Sequence, residues 1–162
     1  MEIEIRKVVT EDKLVLAKLF QFYAYDFSEF VAMDLNPHGE YTFNKLDSYF
    51  VAENRIPFFL TVEQKITGFV LVDRETVAGS AISSIAEFFI MRKYRQRQMG
   101  KTVAGMVFRM FPGRWQVSVR DYNPPALAFW AKVIDQYTGS NFELIQRENW
   151  DGPTYQFEQG FV

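Results

Sequence analysis

At 162 residues, 48% hydrophobic and 23% charged, the chain is long enough to bury one substantial core, and a single domain over residues 1–162 is expected. The formal net charge of −2 excludes the overall basic footprint of a nucleic-acid or anionic-membrane binder, and no apolar run is long enough to span a bilayer. The absence of cysteine removes disulfides, thiolate metal sites and a cysteine nucleophile. His38 is the one histidine, and a lone histidine in a turn makes no metal centre, so no metal is expected.

Residues 2–9 alternate charged and apolar side chains as a half-buried strand does, and they lack the apolar stretch of a signal peptide. A soluble, cytoplasmic protein, monomer or homodimer, is the expectation. Thr10 offers an N-cap, with Glu11 and Asp12 in the first turn, and Leu14, Leu16, Ala17, Leu19, Phe20 and Tyr23 then fall at helical spacing through about Phe27. After the turn cluster Asn36-Pro37-His38-Gly39, the spacing of Phe43, Leu46, Tyr49 and Phe50 predicts a second short helix.

Phe58–Val62 and Gly68–Val72 flank Glu63-Gln64-Lys65 in the pattern of an antiparallel hairpin. The long apolar run from Ile82 to Met91, interrupted by Ser83, Ser84 and Glu87, predicts a central strand. A cationic cluster follows it: Arg92, Lys93, Arg95, Arg97 and Lys101. Val103, Val107, Met110 and Phe111 continue as a helix that stops at Pro112-Gly113, and Trp115–Val119 form another strand. Asn123-Pro124-Pro125 opens a helix with Asn as N-cap and proline in the first turn, where its missing N–H costs nothing. Two strands separated by residues 149–153 complete the chain. The fold class is therefore α/β, one mixed and mostly antiparallel twisted sheet of about seven strands flanked by about four helices.

The unit with chemical content is strand, basic turn, helix, from Ala86 to Ala104. A helix start leaves backbone N–H groups unpaired and partly positive, arginine and lysine add charge-assisted donors, and Gly100 allows close backbone approach. These residues suit a diphosphate, although a solvated basic strand end has the same composition. The glycine spacing of a P-loop is absent.

Two segments carry a family resemblance. Tyr94-Arg95-Gln96-Arg97-Gln98-Met99-Gly100-Lys101, preceded by Phe88-Phe89-Ile90-Met91, resembles the cofactor motif of the GNAT N-acetyltransferase superfamily. That pattern is Arg/Gln-x-x-Gly-x-Gly/Ala after a strand; Arg95 takes its first position and Gly100 its last. Asn123-Pro124-Pro125-Ala126-Leu127-Ala128-Phe129-Trp130 resembles the family's Asn-x-x-Ala-x-x-Phe-Tyr helix. The order of elements matches along essentially the whole chain, and Phe111–Trp115 with Phe129–Gly139 resemble a subgroup of predicted bacterial members.

The resemblance implies an acetyl-CoA-dependent N-acetyltransferase acting on a primary amine of a small molecule or peptide. It implies that backbone groups of Phe89, Ile90 and Met91 bind the pantetheine arm. Amides of Gln96, Gln98, Met99, Gly100, Lys101 and Thr102, with Arg95 and Arg97, would hold the pyrophosphate, and Asn123 and Phe129 would flank the cofactor. Glu87, the charged residue of an apolar strand, is the candidate general base, with solvent exposure or a structural ion pair as the other reading. Tyr23, Tyr25 and Asp26 are candidates for the amine acceptor, through aromatic faces and a carboxylate.

Two positions depart from the family pattern. Its inner glycine is Gln98 here, which costs about 1–2 kcal/mol if the turn requires a left-handed backbone. A common tyrosine acid is replaced by Trp130, leaving Tyr137 or Tyr122 as substitutes unless they only pack. These departures keep a second reading open, a catalytically weak domain that binds CoA or acyl-CoA as a sensor or interaction module.

Overall fold

The computed structural model describes residues 2–95 and 98–160. Its elements in chain order are β1 (Ile3–Lys7), α1 (Lys13–Phe27), β2 (Arg55–Val62), β3 (Lys65–Val77), β4 (Ser80–Ile90), α2 (Met99–Met110), β5 (Gly113–Ser118), α3 (Pro124–Thr138), β6 (Glu143–Ile145) and β7 (Thr154–Gln159). The seven strands run in the order β1-β2-β3-β4-β5-β7-β6. β1–β2, β5–β7 and β6–β7 are antiparallel, whereas β4 pairs with β5 in parallel, Ile82–Ser84 against Arg114–Gln116.

The α/β class and the seven strands agree with the sequence; the helix count does not. Among the described residues there are three α-helices, because the short helix expected around Phe43–Phe50 is a 3₁₀ turn over Leu46–Phe50. Leu46 and Tyr49, three residues apart, are both buried there, and the tighter 3₁₀ repeat is what places i and i+3 on one face. Thr10 is also not the cap of α1. It opens a 3₁₀ turn ending at Asp12, which takes the cap position without a side-chain cap bond while its carboxylate accepts from Arg6 at 2.8 Å.

The chain forms two compact units, Met1–Val72 with Glu87–Gln96, and Asp73–Ala86 with Arg97–Val162. In the first, α1 lays Leu16, Leu19, Phe20 and Ala24 into a core with Phe59, Phe69, Leu71 and Phe89. β2 and β3 are joined by Glu63 and Gln64, at φ 50° and 64°, the doubly positive φ of a two-residue hairpin turn. Gly68 lies where strand backbones crowd: a Cβ there would sit 2.0 Å from the Phe89 carbonyl oxygen and 3.0 Å from Ile90 Cα.

The second unit is built around Trp115, which is fully buried. Its indole N–H is shared between the Phe108 and Phe111 carbonyls at 3.1 and 2.8 Å, satisfying the last turn of α2. Asn123 caps α3 by accepting the Ala126 N–H at 3.1 Å, with proline in the first turn, as its sequence requires. Among the described residues no helix is long and apolar enough to cross a membrane.

The crowding at Gly68 generates a paired prediction. Gly68→Ala should lose about 2–3 kcal/mol of stability in urea denaturation, since backbone rather than a flexible side chain must give way. Gly105→Ala, within α2, meets nothing nearer than 3.4 Å and should be neutral or gain up to about 1 kcal/mol from helix propensity. Equal effects at the two positions would refute the close approach of β3 and β4.

Candidate functional site

In the first unit, Glu87 and Phe89 share one face of β4, two residues apart. Phe89 packs against Phe69 and the Tyr23 ring at centroid distances of 5.6 and 5.8 Å. The Tyr23 ring is further held edge-on by Phe20 and Phe69, at 5.3 and 5.7 Å. A partly buried tyrosine directs its hydroxyl to a partner, and here Tyr23 donates to Glu87 Oε2. The charged residue of the apolar strand is thus half-buried beneath an aromatic layer, with a phenol on its carboxylate.

Asp26 stands one helical turn after Tyr23. Its Oδ1 accepts from Arg92 Nε at 3.2 Å and Nη2 at 2.8 Å, and its Oδ2 accepts from Arg95 Nη2. Burial works against the Asp26 charge, but hydrogen bonds and charges from Arg95 and Arg92 outweigh it and hold the carboxyl below its usual range. Arg95 Nε donates at 2.7 Å to the Ile90 carbonyl, and its guanidinium lies 5.7 Å from the Phe89 ring centroid. The Met91 N–H donates to the Thr67 carbonyl at 2.8 Å. Of the candidate acceptor residues, the structure therefore groups Tyr23 and Asp26 with Glu87 and Arg95. Tyr25 is 66% exposed, and Ser28 Oγ donates to its carbonyl.

In the second unit, Gln98 is the N-cap of α2 with φ 60° and ψ 16°, so the left-handed backbone is adopted by a non-glycine residue. The first intrahelical bond runs from the Thr102 N–H to the Gln98 carbonyl at 3.0 Å. The N–H groups of Met99, Gly100 and Lys101 therefore precede the helical ladder, and the Gln98 side chain makes no cap bond. The Met99 side chain is fully buried, as are Val103 and Ala104, so it can serve a ligand only through its backbone. Lys101 and Thr102 are exposed. Gln96 and Arg97 lie outside the described residues.

Around α3, Asn123 Oδ1 is engaged in capping, and half-buried Phe129 packs edge-on against Trp130 at 4.9 Å. Trp130 is 7% exposed and belongs to the core. Tyr137 donates its hydroxyl to Gln159 Oε1, and its ring packs on Phe108 and Phe157 at 5.0 and 6.1 Å. Burial pushes its phenol up, against the charge and hydrogen bond of Arg109, which makes it a poorer proton donor. Among the described residues no group of three or more His, Asp or Glu could hold a metal ion.

Sequence reasoning missed the Tyr23–Glu87 bond and the pairing of Asp26 with Arg92 and Arg95, which join residues 64 to 69 positions apart. The available signal was the i, i+3 spacing of Tyr23 and Asp26 on one helix face.

No protein-family model matches this sequence, and no curated protein sequence matches it. Solved structures do match in fold. An acetyltransferase from Thermus thermophilus superposes with a TM-score of 0.72 at 16% identity, covering 98% of this chain and 97% of its own. A GNAT-family acetyltransferase from Staphylococcus aureus gives 0.66 at 16% identity, covering 97% and 99%. The PaiA N-acetyltransferase of Thermoplasma acidophilum, in complex with coenzyme A, gives 0.61 at 12% identity, covering 98% and 99%. The chain has the fold of GNAT acetyltransferases.

The charges at Asp26 and the backbone at Gln98 each generate a stability test. The folded Asp26 carboxyl titrates below its unfolded value of about 3.9, so its stabilisation is complete above that pH and is lost as pH falls through the folded value. Wild type should be more stable than Asp26→Asn near neutrality, and the difference should close below about pH 4 in urea titrations. A pH-independent difference would mean that the carboxylate charge contributes nothing. At position 98, glycine relieves about 1–2 kcal/mol of left-handed strain but frees the unfolded chain by about 0.4–1 kcal/mol. Gln98→Gly should therefore be at least as stable as wild type, and Gln98→Val less stable than both; a valine variant as stable as wild type would contradict the assigned backbone.

Proposed function

We propose that this chain is an acetyl-CoA-dependent N-acetyltransferase acting on the primary amine of a small molecule or peptide. The observation that carries the reading is the start of α2, where a left-handed Gln98 precedes three amides outside the helical ladder in the same segment that resembles the GNAT cofactor motif. Such a start carries about half a positive charge and suits a pyrophosphate. The same resemblance places the pantetheine arm along the backbone of Phe89, Ile90 and Met91.

Acetyl transfer needs an unprotonated amine, a polarised thioester carbonyl and a proton for the departing thiolate. In this reading Glu87 accepts the amine proton, directly or through water, as the new N–C bond forms and the C–S bond breaks. A backbone N–H near Phe89 polarises the acetyl oxygen. We assign Tyr137 to packing, since its hydroxyl is engaged by Gln159 and burial raises its pKa. The thiolate then takes its proton from solvent.

Gln98 and Trp130 favour a second reading, a CoA-binding domain with little catalysis. A thiol-release assay with acetyl-CoA and a panel of amines, run beside thermal shift, separates the two. Ligand-induced stabilisation with turnover supports the enzyme, stabilisation without turnover on any amine supports the sensor, and no stabilisation by CoA or acetyl-CoA counts against both. Within the enzyme reading, Glu87→Gln should lower turnover by about 100-fold or more with unchanged CoA affinity. Full activity in that variant would remove Glu87 from the mechanism.

A further inference from the structure

The peptide between Ile90 and Met91 is bonded on both sides. Its carbonyl accepts from Arg95 Nε at 2.7 Å, and its N–H donates to the Thr67 carbonyl at 2.8 Å. Arg95 can hold that carbonyl only while its own guanidinium plane is held, and a planar fork is fixed when two of its nitrogens are engaged. The second engagement is Asp26. Asp26 also takes two bonds from Arg92, so a single carboxylate stands between two cations that would otherwise repel one another three residues apart. With its side chain 43% exposed, Arg95 has open solvent to swing into once Asp26 is removed.

We propose that Asp26 is a positioning residue for cofactor binding. Through Arg95 it sets the plane of the Ile90–Met91 peptide, at the strand end assigned above to the pantetheine arm. The inference rests on the acetyl-CoA reading and assigns Asp26 a different task from contact with the acceptor amine. It also gives Arg95 a task that its charge alone does not perform. Lysine at position 95 would keep the charge and lose the fork.

The opposite role, with Asp26 as an internal anion that competes with a phosphate for the same arginines, predicts the opposite sign. Isothermal titration with CoA, on wild type, Asp26→Asn, Arg95→Lys and Lys18→Gln at neutral pH, should show binding weakened about tenfold in the first two variants. Lys18→Gln removes an exposed cation from α1, outside the basic turn, and should stay within about twofold of wild type. Hydrogen exchange at the Met91 amide reads the peptide directly, without any ligand. Its protection should fall in Asp26→Asn and Arg95→Lys while far-UV circular dichroism stays native. Unchanged or tighter CoA binding in Asp26→Asn, or retained Met91 protection, overturns the positioning role; if Asp26→Asn does not fold, Arg95→Lys decides by the same two readouts. Failure of wild type to bind CoA would instead overturn the cofactor reading, and this role with it.

Discussion

The peptide at the end of β4 is the constraint on which the first unit's functional groups depend. A strand that simply stopped at Ile90 would leave a carbonyl and an N–H to water and a loose last residue. Here the N–H is returned to Thr67 and the carbonyl is given to Arg95. Gly68 makes the approach of the neighbouring strand possible, because any side chain at that position would strike the Phe89 carbonyl. Glu87 and Phe89, four and two residues upstream of Met91, inherit a fixed backbone from this arrangement.

α1 serves this end of β4 with one face. Its apolar residues Leu16, Leu19, Phe20 and Ala24 bury in the core, and the same face continues into Tyr23 and Asp26, whose polar tips reach Glu87 and the two arginines. Exposed ion pairs contribute little individually, and Arg92 is 72% exposed. The weight of the Asp26 contacts lies in geometry: they restrict where Arg95 can place its Nε donor. Hydrophobic burial brings the helix in, and directional bonds then decide which atoms face one another.

The start of α2 obeys a different constraint. Met99, the first residue of the helix, is driven into the core. Gln98 before it has a left-handed backbone, an arrangement that glycine adopts without strain. A non-glycine residue tolerates it because the buried first turn that follows fixes the chain. The result is a helix start with its leading amides outside the helical ladder, at the cost of some local strain.

Local pattern carried much of this in the sequence. Alternation at residues 2–9, short apolar runs between turn signals and helical spacing located the seven described strands and the three α-helices. The Asn123 cap and the Glu63-Gln64 hairpin turn were equally local, each specified within a few residues. The basic turn could be read as an anion site for the same reason. What the sequence alone could not determine was which polar side chains meet. Tyr23 with Glu87, Asp26 with Arg92 and Arg95, and Tyr137 with Gln159 are joined across long separations, where no periodicity reports and only packing sets the partner. The helical or 3₁₀ character of Leu46–Phe50 was likewise decided by which two residues had to be buried together. The chain's own spacing thus determined its elements. Tertiary packing alone decided that Asp26 faces two arginines, because the helix and the strand end that carry these groups come together only in the fold.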